Sequence, residues 1–158
     1  MRSKLLALCA LTVSLALAKD APQTLPLISL PDAQGKTVNS VEWKGKMVVL
    51  DFWATWCVAC REAFPVLSEL KAKYGEKLMV VGIATDKMPT EKVAKFAKKQ
   101  KIDYLVLHDF EDAQAPVFGF ESLPSLYVYG ADGKLLAMLK GLDEVNKKKL
   151  AQLTATLL

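Results

Sequence analysis

Two cysteines three positions apart, Cys57 and Cys60, are the residues of this chain best suited to carry chemistry. A bridge across so short a loop removes little entropy from the unfolded chain, so stability is a poor reason for the pair. The spacing brings two thiols onto one side of a helical turn, where Cys57 can attack an external disulfide and Cys60 can resolve the mixed disulfide. The pair therefore predicts thiol–disulfide exchange.

The elements that must position these thiols are a strand and a helix. Met47–Trp53 is an apolar run typical of a strand buried on both faces. Beyond the cysteines, an apolar stripe with gaps of four, three and four residues predicts a helix: Ala63, Leu67, Leu70 and Tyr74. Gly75 can close this helix, and Pro65 should kink it. Cys57 is then expected at a strand-to-helix junction, where free N–H groups stabilise a thiolate.

Asp51 is an acid in the middle of the apolar strand. A buried carboxylate is costly unless it is paired or protonated, so we expect burial to raise the pKa of Asp51. An Asp at a strand end that reaches water is the alternative, and the uninterrupted apolar run argues against it.

The remaining segments predict an α/β domain. Their pattern predicts a hairpin, two further strands with a helix between them, and a second hairpin: Leu27–Leu30 with Lys36–Asn39, Lys77–Ala84, Thr90–Lys101, Tyr104–Leu107, and Ser125–Tyr129 with Lys134–Leu139. Asp143 can cap a final helix whose buried stripe is Leu150, Leu153 and Leu157. Alternating strands and helices that end in a hairpin and a helix predict a mixed sheet between helices.

Residues 1–18 are expected to be a secretory signal peptide, followed by one domain over residues 19–158. Two basic residues precede an apolar run, and Ala16-Leu17-Ala18 matches the small-x-small cleavage pattern. An uncleaved anchor is the alternative, although the run is shorter than the ~20 residues that span a bilayer.

Charge and ligand counts exclude other classes of function. The chain has 21 basic and 17 acidic residues, and Arg2 and Lys4 leave with the signal, so 19 basic residues remain against 17 acidic ones. A charge of +2 gives no reason to expect nucleic-acid binding. A structural zinc site needs four ligands, whereas the chain has one His, His108, and no second Cys pair after the signal. We therefore expect no metal and no cofactor, and a surface or hydrogen-bonded role for His108.

Two segments resemble the thioredoxins. Asp51–Arg61, which reads DFWATWCVACR, resembles their active-site strand and helix start, and Phe118–Ser125 resembles their cis-proline segment. The N-terminal hairpin, with Gly45 and Lys46 before the strand, resembles the exported TlpA/ResA-type branch, and the resemblance runs from about Ala21 to the end. It implies a thioredoxin fold: a central mixed β-sheet flanked by helices, with an N-terminal β-hairpin.

The resemblance also implies roles. Cys57 would be the nucleophile and Cys60 the resolving thiol of a redox-active disulfide, and Asp51 would accept the proton of Cys60. Pro124 would be cis and lie beside the sulfurs, although a strand-entry proline is the alternative. The expected substrate-binding surface comprises Trp56, Val58, Ala59, Leu123 and Pro124.

The chain departs from the family at the helix start. Members of the ResA type usually carry a Glu three residues after the second cysteine, where this chain has Ala63. Glu62 is one residue early, a rotation of roughly 100° on a helix, so Asp51 should be the buried acid instead. Val58 and Ala59 lack both the proline of reducing members and the histidine of strongly oxidising ones, which favours a reductant of intermediate potential.

These observations predict an exported, periplasmic disulfide reductase. It would act as a monomer on disulfide-containing protein clients, in cytochrome c maturation, copper-site assembly or antioxidant thiol repair, and a membrane electron donor would keep it reduced. Two alternatives stay open: an oxidase that donates its disulfide to folding proteins, and a metal- or apoprotein-binding module. A thiol peroxidase is disfavoured because the Thr and Arg setting of a peroxidatic Cys is not evident.

Overall fold

The structure of the protein, a computed structural model, describes residues 21–158. The expected signal peptide over residues 1–18 lies outside the described residues. The fold of the rest is the predicted thioredoxin fold, with a two-stranded sheet ahead of a five-stranded one.

The strands follow the predicted order. Their bounds are β1 Ser29–Pro31, β2 Thr37–Asn39, β3 Met47–Trp53, β4 Leu78–Ala84, β5 Leu105–His108, β6 Ser125–Tyr129 and β7 Leu135–Lys140. The central sheet has the order β5-β4-β3-β6-β7, in which β3, β4 and β5 are parallel and β6 and β7 are antiparallel to their neighbours. The expected mixed sheet is therefore confirmed, with β3 at its centre.

Four α-helices surround this sheet within residues 21–158. They are α1 Ala63–Tyr74, α2 Thr90–Lys99, α3 Gln114–Phe118 and α4 Glu144–Leu157. A 3-10 turn, Ala59–Glu62, leads directly into α1. Pro65 falls in the first turn of α1, where a missing N–H is tolerated. The predicted cap is confirmed, because the Asp143 carboxylate accepts a hydrogen bond from Asn146 N at 2.8 Å.

Strand β3 is buried along its whole length, so its side chains divide between two packed faces. One face, here called the disulfide face, carries Val49, Asp51 and Trp53 and is covered by α1 and α2. The other, called the tyrosine face, carries Tyr127 and Tyr129 of β6 and packs against α3 and the N-terminal hairpin. A continuous apolar strand is what two covered faces require.

The N-terminal hairpin is held to the central sheet at both of its ends. Before β1, Leu25 N donates to Gly133 O at 2.8 Å, in the turn between β6 and β7. At the hairpin turn, Asp32 forms a bridge with Leu107 of β5. The hairpin therefore covers the tyrosine face and leaves the disulfide face to the helices.

The buried stripe predicted for α4 is wrong at Leu157, which is 53% exposed. Leu150 is buried as predicted and Leu153 is partly buried, whereas Thr154, four residues after Leu150 on the same side of α4, is the second fully buried residue. Thr154 is tolerated there because its hydroxyl donates to Leu150 O at 3.0 Å. The core thus selects a stripe rotated by about one residue from the all-leucine one.

Candidate active site

Cys57 and Cys60 form a disulfide, and their Cα atoms are 5.4 Å apart. Cys57 follows the loop after β3, and Cys60 lies in the 3-10 turn before α1, so the predicted strand-to-helix junction is confirmed. Cys60 is fully buried, whereas Cys57 keeps 6% of its surface exposed. Only the sulfur of Cys57 can therefore be reached by a large partner without rearrangement.

A backbone donor is aimed at the first sulfur. Cys60 N lies 3.2 Å from Cys57 Sγ, within the range of a sulfur hydrogen bond. This N–H belongs to the first helical turn, where backbone donors have no intrahelical acceptor. When the disulfide opens, the same donor stabilises a thiolate on Cys57 and not one on Cys60.

Apolar side chains surround the accessible sulfur on the protein surface. Trp56 and Val58, the immediate neighbours of Cys57, are 70% and 71% exposed, and Ala59 is exposed as well. Leu123 is partly buried and packs against the cluster that contains both cysteines. The structure thus brings four of the predicted substrate-binding residues around one sulfur.

The fifth predicted residue, Pro124, is buried and follows Leu123 through a cis peptide bond, as expected. Its carbonyl accepts a hydrogen bond from Gly141 N at 2.8 Å. Ser125, the first residue of β6, donates from its hydroxyl to Ser122 O at 2.8 Å. These bonds fix the segment that presents Leu123 to the disulfide.

Asp51 is fully buried on the disulfide face, as the apolar run predicted. It pairs in register with Gly82 of β4 and Leu126 of β6, neither of which offers a side-chain donor. Neither carboxyl oxygen has a hydrogen-bond partner. Burial therefore raises the pKa of Asp51 to about 8, because nothing compensates the carboxylate for lost hydration.

Aromatic rings pack beside the disulfide on the disulfide face. The Trp53 ring packs edge-on against Phe64 of α1 at 5.3 Å and lies parallel to Phe96 of α2 at 5.6 Å. The Arg61 guanidinium lies 5.7 Å from the centroid of Phe96. This arrangement fixes α1 and α2 relative to the strand that leads into the cysteines.

Sequence analysis missed a hydrogen-bond network that anchors the loop before Cys57. The carboxylate of Asp86, which follows β4, accepts bonds from Thr55 Oγ1 at 2.6 Å and Thr55 N at 2.9 Å. His108 Nε2 donates to Asp86 O at 2.8 Å, since a carbonyl only accepts, and its Nδ1 lies 2.8 Å from Thr90 Oγ1. The hydrogen-bonded role expected for His108 is confirmed, and it is buried.

The residues that the structure describes hold no group of three or more His, Cys, Asp or Glu side chains placed to bind a metal ion. The lysines of α2 are exposed and form a solvated helix face: Lys92, Lys95, Lys98 and Lys99. Across residues 21–158, every helix is too short or too polar to pass through a bilayer.

Residues 21–138 match the model of the AhpC/TSA protein family. A Bacillus thuringiensis protein named thiol-disulfide oxidoreductase ResA is 32% identical over 137 residues, which cover 86% of this chain and 75% of the relative. A thioredoxin-like protein of Bacillus subtilis, YneN, is 32% identical over 132 residues, covering 82% and 76% of the two chains.

Solved structures agree with this. A Chlorobium tepidum crystal structure, described as a thiol:disulfide interchange protein DsbE, superposes with a TM-score of 0.80 at 28% identity, over 87% of this chain and 97% of that one. A solution structure from Neisseria meningitidis, described as a thioredoxin, gives a TM-score of 0.74 at 28% identity, over 85% and 89% of the two chains.

Proposed function

The chain belongs to the AhpC/TSA family and is a thiol–disulfide oxidoreductase, and we propose that it is an exported one that reduces disulfides in periplasmic client proteins. The observation that carries this proposal is the asymmetry of the Cys57–Cys60 disulfide. One sulfur is accessible, faced by a backbone donor and ringed by exposed apolar side chains, while the other is fully buried.

The asymmetry assigns an order of events. The Cys57 thiolate attacks one sulfur of a client disulfide, and the other client sulfur leaves as a thiolate. A mixed disulfide then joins Cys57 to the client. Cys60 loses its proton and attacks Cys57 Sγ, which releases the second client thiolate and restores the Cys57–Cys60 disulfide. Two electrons pass to the client, so an electron donor must reduce the pair before the next cycle.

Asp51 is proposed as the acceptor of the Cys60 proton. Its carboxylate is buried and without a partner, so binding a proton there relieves an unfavourable charge. A base with a pKa near the working pH is also best suited to such a transfer. Asp51 is the one buried acid on the disulfide face of β3, and Ala63 stands where related proteins usually carry a glutamate.

Client binding is proposed at the surface around Cys57, formed by Trp56, Val58, Ala59, Leu123 and Pro124. Trp56 and Val58 supply exposed apolar area of the kind that protein partners cover. An extended client segment can also pair with the backbone at Leu123, because this residue precedes β6 and packs beside the cysteines.

Reduction, and not oxidation, is favoured by what surrounds the Cys57 sulfur. A strongly acidic thiol makes a strong oxidant, because the reduced form is then the stabilised one. Between the cysteines stand Val58 and Ala59, which carry no charge. The one histidine, His108, has both ring nitrogens engaged by Asp86 and Thr90. One backbone donor on Cys57 Sγ therefore favours an intermediate potential.

The proposed compartment and partners follow from residues 1–18 and from the redox cycle. Cleavage after Ala18 would leave a mature chain that begins at Lys19 in the oxidising periplasm. There the protein would act as a monomer on cytochrome c maturation clients or in thiol repair, with a membrane protein as electron donor. Amino-terminal sequencing of the protein from a periplasmic fraction tests the first step, and a chain that still starts at Met1 contradicts it.

Trapping tests the assigned order of the cysteines. The Cys60→Ser variant should accumulate mixed disulfides with clients, because Cys57 still attacks and nothing resolves the product. The Cys57→Ser variant should show neither exchange nor trapped species, and the double variant is the matched control. Equal trapping by both single variants would contradict the order.

The reduction potential tests the direction of electron flow. We expect a value between the thioredoxin range of about −270 mV and the intermediate range of about −180 mV, measured by equilibration with glutathione. A value near about −120 mV, that of the oxidase DsbA, would favour the disulfide-donating alternative instead. The binding-module alternative predicts stoichiometric metal binding and no turnover with model disulfides.

A further inference from the structure

Buried polar atoms without partners converge at one point of the disulfide face. Among the residues that the structure describes, such atoms belong to four side chains: Asp51, Trp53, Ser68 and Tyr104. Buried polar groups are almost always hydrogen-bonded, so a group of unbonded ones requires an explanation. For Asp51, Trp53 and Tyr104, the register between β3 and β4 and the position of Gly82 supply the explanation.

Gly82 is the place where the three meet. It pairs in register with Asp51, so the two residues project from the same face of the sheet about 4.8 Å apart. A Cβ atom on residue 82 would lie 2.8 Å from Trp53 Nε1 and 3.1 Å from Tyr104 Cε2. The indole N–H and the phenol edge of Tyr104 therefore lie over the residue beside Asp51.

The three groups are chemically complementary. The indole of Trp53 is a donor, the phenol of Tyr104 donates and accepts, and the Asp51 carboxylate accepts. None of them contacts another directly within hydrogen-bond distance. A polar contact beyond that distance is commonly bridged by a water molecule, and an internal water needs two to four polar partners. Asp51, Trp53 and Tyr104 supply three.

The side chains that cover Asp51 from the neighbouring elements are mostly apolar, and Ser68 of α1 is the one further buried polar group of the described residues without a partner. From α1, α2 and β6 the packed side chains are apolar: Ala63, Phe64, Leu67, Val93, Ala97 and Leu126. Besides Tyr104, the other titratable groups on this face are Cys57, Cys60 and, at the end of α1, Tyr74. Charged side chains lie further out: Asp103 and Arg61 are exposed, and Asp86 and His108 are bonded to their own partners beyond the end of β4.

We propose that Tyr104 is a positioning residue for proton transfer at Asp51. Its phenol and the Trp53 indole hold an internal water between themselves and Asp51, and this water donates a hydrogen bond to the Asp51 carboxylate. The inference rests on the proposed role of Asp51 as proton acceptor, and it identifies the groups that make this role possible. The water stabilises the ionised acid, so that Asp51 is free to take the Cys60 proton. Without it, Asp51 stays protonated to higher pH and cannot act as a base.

The coupling between the two groups supports this. The carboxylate of Asp51 contributes to raising the pKa of the Tyr104 phenol, after burial as the larger cause and ahead of Asp103. Tyr104 therefore remains protonated, and its hydroxyl remains a donor, over the whole range in which Asp51 titrates. A tyrosine serves here as a neutral partner that orients a water without adding charge.

The test is a titration of the Asp51 carboxyl carbon by NMR in the reduced full-length protein and in its Tyr104→Phe variant. We expect the midpoint to rise by about one pH unit in the variant, because a donor to the carboxylate is lost. Tyr129→Phe is the matched control, since Tyr129 is buried on the tyrosine face and its hydroxyl donates to Pro22 O at 3.1 Å. An unchanged midpoint in Tyr104→Phe, or an equal rise in the control, overturns the proposal.

A kinetic readout separates positioning from packing. The pH at which resolution by Cys60 reaches half its maximum should move upward with the Asp51 midpoint in Tyr104→Phe and stay in place in Tyr129→Phe. A lower rate at every pH with an unmoved profile would make Tyr104 a packing residue. The titration itself requires no turnover, so failure of the proposed reductase activity would show separately, as wild-type protein that leaves model disulfides intact.

Discussion

Two regions of the molecule each bury an aspartate near the disulfide, and they treat it in opposite ways. In the loop after β4, Asp86 is 2% exposed and its carboxylate accepts bonds from the backbone N–H and the hydroxyl of Thr55. In the middle of β3, Asp51 is fully buried and its carboxylate accepts no bond from another protein group.

Position in the sheet explains the difference. Asp86 follows the carboxyl end of β4, where loop N–H groups such as that of Thr55 are free to donate. Asp51 lies between β4 and β6, whose ladders with β3 already use the neighbouring backbone donors. A carboxylate with fixed protein donors acts as an anchor, whereas one without protein donors holds a proton readily and can exchange it. Burial alone therefore does not make an acid functional.

The largest expected effect on activity is the loss of turnover in Asp51→Asn. Loss of a proton acceptor should slow the resolving step by about 100-fold near neutral pH and flatten its pH dependence. Decay of the mixed disulfide, followed after rapid mixing, measures this step directly. Asp86→Asn is the control at the other acid, and its profile should keep its shape. A profile that Asp51→Asn leaves unchanged would refute the proton-acceptor role.

The second effect concerns stability and has a defined sign. Burial raises the pKa of Asp51 from 3.8 to about 8, so between these values the folded protein holds a proton that the unfolded chain has released. Wild-type protein therefore loses stability as the pH rises through this window.

Asp51→Asn removes that loss. The amide of the variant does not titrate. The unfolding free energy of the variant minus that of wild type should therefore be roughly 3–5 kcal/mol larger at pH 9 than at pH 4. Urea unfolding of both oxidised proteins at pH 4 and pH 9 measures this change. The cost of burying the amide itself is the same at both pH values and therefore cancels. A difference near zero would mean that Asp51 is solvated in the folded state.

The third effect is a loss of stability, and it arises from a change at Asp86. Asp86→Ala leaves the Thr55 N–H and hydroxyl without their acceptor, which should lower the unfolding free energy by about 3 kcal/mol. The loss should be the same at pH 6 and pH 9, because the groups of Thr55 that lose their acceptor do not titrate. A loss that grows with pH would show that the two acids are coupled.

The Asp51 region can be predicted from the sequence because its signals are local. Met47–Trp53 was predicted as a strand with the bounds that the structure has, and an acid within an unbroken apolar run had to be buried. The cysteine spacing and the helix stripe after it are equally short-range. Such patterns fix which face a residue occupies, and therefore its solvation.

The Asp86 region could not be predicted in this way. Thr55 and Asp86 are 31 residues apart, and His108 is a further 22 from Asp86, with no periodic pattern connecting them. Gly82 and Tyr104 are likewise brought together only by the pairing of β4 with β5. An acid shortly after a buried strand could have suggested that Asp86 anchors a loop, but not that Thr55 is its partner. The misplaced Leu157 has a similar cause, because the surrounding sheet decides which stripe of α4 is covered.

The smallest effect tests whether the Asp86 region is structural throughout. Thr90→Val keeps the shape of the side chain but removes the hydroxyl that His108 Nδ1 contacts. The unfolding free energy should fall by about 1 kcal/mol, since one neutral hydrogen bond is lost at a partly buried site. Turnover should keep its wild-type pH profile, because the Asp86 carboxylate still holds Thr55. Urea unfolding and the mixed-disulfide assay measure the two quantities on the same preparation. If the profile moves, the histidine network reaches the reacting sulfurs, and the division between an anchoring and a proton-transferring aspartate is wrong.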